Sequence, residues 1–268
     1  MGNREKQEKR LDYLLGKFLA DSDGYGDMDI PKHTEEKRML LRSLMNIRLP
    51  RKMDETVLKV QDEYLKERAQ EKGIVRPSDI LLIRDHLSLR QGDITRLAAD
   101  GIVNAANSQM LGCFIPLHSC IDNCIHTYAG IELRAECFRQ MTELRKVYGE
   151  DYEQPVAVPL LTDGFNLPAR KIIHVVGPMV SGHLTGALEE DLARCYRNTL
   201  DLCRENGLRT LAFCCISTGV FHFPSPRAAE IAVHTVTGWM EKHPGAMDRV
   251  IFNVFKEEDR KYYEQNLR

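Results

Sequence analysis

The sequence predicts an α/β fold, a mixed sheet covered by helices on both faces, preceded by a helical extension. Three observations carry this. Residues 1 to about 75 show only helical apolar periodicity. From about residue 79 short β-rich runs alternate with helical segments. The most apolar run, Thr210 to Ile216, lacks polar alternation, as a strand buried on both faces should. Residues 1–75 are therefore assigned to an extension packing on the main domain, and residues 76–268 to the main domain itself.

In the extension, Leu11, Leu14, Leu15 and Phe18 share one helical face, Leu40, Leu41, Leu44 and Met45 another, and Val57, Val60, Tyr64 and Leu65 a third. Gly24 and Gly26, then Leu49-Pro50, then Gly73 with Pro77 separate the three segments. Strands are expected at Ile80–Arg84, Leu87–Arg90, Gly101–Asn104, Val156–Leu161, Lys171–Val176, Thr210–Ile216 and Arg249–Phe255. A helix over 187–206 places Leu188, Leu192, Cys195, Tyr196, Thr199 and Cys203 on one side and stops at Gly207. Ser225-Pro226 is read as N-cap and first residue of a helix reaching Lys242, and a polar helix ends the chain.

Formal charge is −2 from 37 basic and 39 acidic residues, so no global field gathers nucleic acid or anionic membrane. A nucleotide ligand would be held by local donors. The N-terminal residues MGNREKQEKR are too polar for a signal peptide and fit no myristoylation pattern, and a cytoplasmic location is expected. Cys195, Cys203, Cys214 and Cys215 lie in apolar periodic segments and read as core thiols.

In such a sheet the ligand lies at the carboxyl ends of strands, which directs attention to three loops. Gln91 to Thr95 presents Asp93 and Ile94 after a strand, although Gly-Asp is also ordinary turn chemistry. Val103 to Ser108 carries Asn104 and Asn107 around two alanines, which suits sugar hydroxyls or a simple turn. Ser217, Thr218, Gly219, Val220 and Phe221 lead from the most apolar strand to a helix, an arrangement that lines up backbone N–H groups for a pyrophosphate.

A fourth stretch, Leu111 to His126, contains Cys113, His118 and Cys120 in the spacing C-x4-H-x-C. Two thiolates and one imidazole leave a zinc ion one open position, as in catalytic sites. Cys124 and His126 are near enough to be considered as a fourth ligand. However, Ile121, Cys124, Ile125 and Tyr128 fall on one helical face, so Cys124 reads as core; His126 reads as a satisfied interior or helix-face histidine, as most histidines are.

Together these segments resemble the macrodomain family, the ADP-ribose-binding α/β/α module, over roughly residues 80 to 255. The resemblance rests on Gly92-Asp93-Ile94-Thr95, Val103 to Asn107, Ala129-Gly130 with Leu133 to Cys137, Thr162 to Pro168 followed by Lys171 to Pro178, and Ile216 to Phe221 with Pro224, in that order. Where most members carry a glycine-rich loop, this chain has Cys113, His118 and Cys120, the mark of a microbial zinc-containing subgroup with a helical N-terminal extension. That subgroup is associated with sirtuin-type ADP-ribosyltransferases. His222 also departs from the family, where glycine is frequent.

The resemblance implies zinc-dependent hydrolysis of mono-ADP-ribose from protein side chains. It places Asp93 and Ile94 at the adenine, with Asn253 and Phe255 as further neighbours. Phosphates fall on the N–H groups of Ile121 and Asp122 and of Ser217 to Phe221, with no need of an arginine clamp. Asn104 and Asn107 hold the distal ribose, and Asn107 joins Cys113, His118 and Cys120 as the catalytic set. Whether zinc activates water or polarises a ribose hydroxyl stays open, because thiolate donation lowers the charge felt by either. The rival readings are a non-catalytic ADP-ribose reader and an O-acetyl-ADP-ribose deacetylase.

Overall fold

The structure is a computed structural model that describes residues 3–268; Met1 and Gly2, part of the polar N-terminus considered above, lie outside the described residues. The extension comprises α1 (Asn3–Asp21), α2 (Thr34–Ile47) and α3 (Glu55–Lys72). Their apolar stripes meet in a separate core containing Leu14, Phe18, Leu41, Leu44, Val57 and Leu65. Each helix has one apolar flank, so three of them can hide that flank only against one another. Ile131, which opens α5 (Ile131–Tyr148), is the main-domain residue that enters this core.

Polar contacts complete the junction. The α2 carbonyls that no longer find intrahelical donors meet Arg134 of α5. Arg134 donates to the carbonyls of Met45 (3.1 Å), Asn46 (2.8 Å) and Arg48 (2.5 Å), and to Leu111 O at 2.8 Å. Gln61 of α3 accepts from Ile131 N at 3.0 Å, just past Gly130. Gly130 has φ 101°, and a Cβ there would strike the Gln61 and Asn166 amides, so this close approach needs glycine.

The sheet contains β1 (Leu82–Arg84), β2 (Leu87–Gln91), β3 (Gly101–Ala106), β4 (Leu160–Asp163), β5 (Lys171–Val176), β6 (Thr210–Phe213) and β7 (Arg249–Val254). Their order is β1-β2-β7-β6-β3-β5-β4. The edge strands β1 and β4 are antiparallel to their neighbours and the five between them are parallel. On one side α6 (Gly186–Glu205), α7 (Ser225–Lys242) and α8 (Glu257–Leu267) pack in succession; α4 (Ile121–Ala129) covers β3 and abuts α5, which leans on β4. This is the mixed, three-layer α/β/α arrangement expected from the alternating pattern.

One feature of the register positions the site. β3 pairs with β5 along six residues but with β6 only at Gly101↔Leu211 and Ile102↔Ala212. Past that point β3 and β6 part, and a cleft opens at their carboxyl ends.

Some expected boundaries differ. The strand foreseen at Val156–Leu161 forms only at Leu160–Asp163, with Val156 making a lone bridge to Val176; Pro155 and Pro159 have no N–H for a ladder. The strand from Thr210 ends at Phe213, where its partner diverges. The first strand starts at Leu82, after a 3₁₀ turn at Pro77–Asp79. Ser225 is the first residue of α7 and not its cap, since Pro224 takes that position with φ −58° and no side-chain bond. No helix among the described residues is long and apolar enough to cross a membrane.

Candidate active site

The cleft between β3 and β6 is a cavity of about 460 Å³, in the range of small-molecule sites. Asp93, Ile94, Ile121, Ser217, Thr218, Gly219, Val220 and Phe221 line it, as do Asn253 and Phe255. Cys120 is the metal-loop thiol on its wall. Asn107, Cys113 and His118 do not line it in this structure.

The loop after β6 is shaped by close packing. Ser217 has φ 66°, a left-handed conformation costly for a residue with a Cβ. It is held there by its carbonyl, which accepts from Phe223 N at 3.0 Å, while Val180 N donates to Phe221 O at 2.9 Å. Gly177, at the end of β5, permits the approach, because a Cβ there would lie 2.1 Å from Ser217 Oγ. The N–H groups of Ser217, Gly219, Val220 and Phe221 make no backbone hydrogen bond among the described residues, while a turn at Ile216-Ser217 directs Thr218 N to Cys215 O. Those of Ile121 and Asp122, at the start of α4, are equally free, since the first turn of a helix has no internal acceptor for them. With Ile121 and the Ser217 loop on the cavity wall, two sets of free donors can hold two phosphates.

Cys113, His118 and Cys120 form the cluster expected from their spacing: one ligand atom from each lies within 4.8 Å of the others. Cys113 Sγ is 3.5 Å from His118 Nδ1. Cys120 caps α4, its sulfur accepting from Asn123 N at 3.4 Å. Burial pushes the Cys120 thiol up to about 12, with the neighbouring Cys113 and Asp122 charges adding to the effect. Partly buried sulfur and imidazole donors of this kind fit a zinc ion. Gly112 (φ 80°) lets the loop turn over the His126 ring, which a Cβ would meet at 2.7 Å.

A second buried trio, His126, Cys137 and His174, also gathers its ligand atoms. Its chemistry differs, because His174 already bonds Asn104 Nδ2 at 3.0 Å and Thr162 Oγ1 at 3.0 Å through its two nitrogens. That trio reads as a polar network under α4.

Asn104 departs from expectation. It is fully buried, and its amide is committed to Asp122 and His174 and not to the cavity. Its register partner on β5 is His174, and both point toward α4, where Asn104 donates to Asp122 Oδ1 at 2.8 Å. Asp122 is itself buried, and burial pushes its carboxyl up to about 6 against the opposing pull of the Asn104 bond and Arg134. Asn107 donates to Gly112 O at 3.2 Å and lies 3.4 Å from Asp122 Oδ2. Asp122 thus ties the two asparagines together. His126 is interior, as expected, but not satisfied: neither ring nitrogen has a hydrogen-bond partner, Asp122 being 3.6 Å away, and burial holds it neutral.

Several cavity residues carry no sequence signal that marks them as part of a site. Arg42 comes from α2, Tyr128 and Cys124 from α4, Cys215 from the β6 loop, and Lys256 and Asp259 from the end of the chain. Cys124 was expected in the core, yet it is half-buried on the cavity wall, whereas Cys215 packs against the core and lines the cavity as well. Lys72 of α3 sits 3.2 Å above the Tyr128 ring and 3.4 Å from Asp93 Oδ2. The extension therefore reaches both ends of the site.

Residues 103–232 match the Macro domain family model. A protein-ADP-ribose hydrolase of Treponema medium is 43% identical over 261 residues, covering 96% of this chain and 97% of that protein. One from Staphylococcus aureus is 38% identical, covering 99% and 97% respectively. A Trypanosoma brucei macrodomain solved in complex with ADP-ribose superposes with a TM-score of 0.64 at 28% identity, over 84% of this chain and 94% of that one. With such relatives along its whole length and their fold around its cavity, the chain belongs to the macrodomain family.

Proposed function

We propose that this chain is a zinc-dependent protein-ADP-ribose hydrolase that releases mono-ADP-ribose from modified protein side chains. The observation that carries this is a cluster of three metal-ligating side chains, one of which, Cys120, lines a cavity that free backbone donors also face. The activity named for the Treponema and Staphylococcus relatives, which match nearly the full chain, supports the same reading.

Each residue has a defined task in this reading. Asp93 is fixed by two bonds from Thr95 to Oδ1, at 2.9 and 2.6 Å, and its Oδ2, with Lys72 Nζ at 3.4 Å on one side, accepts from the adenine amino group on the other. Ile94 and Phe255 flank the base and Asn253 borders it. The diphosphate rests on the N–H groups of Ile121, Asp122 and Ser217 through Phe221, where the start of α4 adds its positive dipole end. Asn107 faces the distal ribose, held in place by Gly112 O and Asp122. Asn104 acts one step back, through Asp122. Cys113, His118 and Cys120 would hold zinc, which when bound supplies a Lewis acid for an oxygen at the distal ribose.

The substrate for the test is a protein modified by a sirtuin-type ADP-ribosyltransferase, the writer this reading pairs with the chain. We expect about one zinc per chain, and release of ADP-ribose that disappears with a chelator, in Cys113→Ala and in His118→Ala, while free ADP-ribose still binds. Undiminished turnover in zinc-free protein would overturn the metal's role. Binding without release by the zinc-loaded chain would reduce the protein to a reader.

A further inference from the structure

The metal loop is held from outside the main domain. Arg42 of α2 directs Nη2 at the carbonyl of His118 (2.7 Å) and at Asn123 Oδ1 (2.8 Å), with Cys124 Sγ at 3.6 Å. Occupying the Asn123 oxygen in this way turns the amide nitrogen toward the other side of the loop. There it donates to Ile115 O at 2.9 Å and Cys113 O at 3.3 Å. One turn further along α2, Asn46 accepts from Leu117 N at 3.1 Å and donates to Thr127 Oγ1 at 2.9 Å. Leu117 is left-handed, φ 58°, a strained conformation that persists only where surroundings enforce it.

We propose that Arg42 is a positioning residue for the metal centre, making the helical extension part of that centre. This rests on Cys113, His118 and Cys120 holding zinc. The backbone oxygens of two of the three ligands, Cys113 and His118, are tied through Arg42, one directly and one through Asn123. Both bonds come from the one nitrogen Nη2, which is held between His118 O and Asn123 Oδ1. The loop thereby arrives with its ligands gathered before any metal binds. Removing Arg42 frees the loop and raises the ordering cost of binding.

The test measures zinc affinity of the full-length chain by competition with a chromophoric chelator. Arg42→Ala should bind zinc about 10- to 100-fold more weakly, the usual effect of losing an outer-shell partner. Arg38→Ala is the control. Arg38 lies on the same helix but pairs with Glu35 and with Glu71, away from the loop, so its loss loosens the extension and should leave zinc affinity unchanged. Equal affinity in wild type and Arg42→Ala, or equal weakening in both variants, overturns the proposal, because Arg42 would then serve only to dock the helix. If Arg42→Ala does not fold, Arg42→Met keeps the bulk and apolar stem but donates nothing; weakened zinc binding supports positioning, and wild-type affinity overturns it. A wild-type chain that binds no zinc at all sinks the metal assignment itself, a result distinct from either variant outcome.

Discussion

Arg134→Met tests how firmly the extension is joined to the main domain. Methionine keeps much of the side chain's length and apolar contact but donates nothing to the carbonyls of Met45, Asn46, Arg48 and Leu111. At roughly 1 to 3 kcal/mol for each buried group left unpaired, the gross loss is roughly 4 to 12 kcal/mol. Stacking of the guanidinium on Phe114, 4.2 Å from the ring centre, is also lost. Against this stands the burial of the charge, which pushes the Arg134 guanidinium down to about 10. Relief of that strain returns about 3 kcal/mol. Carbonyls at a helix end can also turn to water once the junction loosens. The net destabilisation should therefore fall at roughly 2 to 5 kcal/mol, as for other broken buried charge networks. Urea unfolding would show it as a lower midpoint, and limited proteolysis should cut first near residues 48–53. A midpoint change worth under about 1 kcal/mol, with the extension still protected, would refute the view that this one side chain holds the end of α2.

Two further perturbations probe the junction and the cavity. Glu132, at the start of α5, faces Asp62 and Lys66 of α3, with Asp163 and Arg170 on the same surface pocket; burial and then Asp62 push its carboxyl up to about 7. A carboxyl raised on folding contributes stability that is complete below its unfolded value near 4.5 and lost as pH rises through about 7. Melting temperatures should thus fall between pH 5 and 8 by more in wild type than in Glu132→Gln, and identical profiles would contradict the assignment. Gly177→Ala would push the Ser217 loop outward, costing about 1 to 3 kcal/mol by overpacking. Calorimetry should find ADP-ribose bound at least tenfold more weakly, and unchanged binding would show that the loop's position does not matter.

Much of the fold was legible because its signals are local. Stripes three and four residues apart located the extension helices, and apolar runs located β3, β5, β6 and β7. The strand at Val156 failed because periodicity does not weigh the missing N–H groups of Pro155 and Pro159. The metal cluster was legible for the same local reason: three ligands within eight residues must be neighbours in space. Arg42 was not, since it meets its loop across 76 residues of sequence and follows no pattern of its own. Asn104 was misplaced because two asparagines three apart on a strand and its loop look alike, while the pleat turns only one of them into the interior.

The misreading of Cys124 has a more general cause. Ile121, Cys124 and Tyr128 do share a helical face, but that face lines the cavity, whereas Ile125 points into the core. An apolar stripe reports exclusion from water, and a nucleotide excludes water as well as a second layer of side chains does. Cys124 and Cys215 then suit the cavity for an electrical reason. Burial pushes both thiols up, so they present neutral sulfur to the ligand. Along that stretch of wall neutral side chains keep the local dielectric low, and there the N–H groups of α4 and the Ser217 loop attract phosphate, with Arg42 and Lys256 elsewhere on the same wall. A chain with net charge −2 can thus hold a dianionic ligand with backbone dipoles. The splaying of β3 from β6 is the structural step that makes this possible, because it opens the sheet at the one place where both sets of donors face the same space.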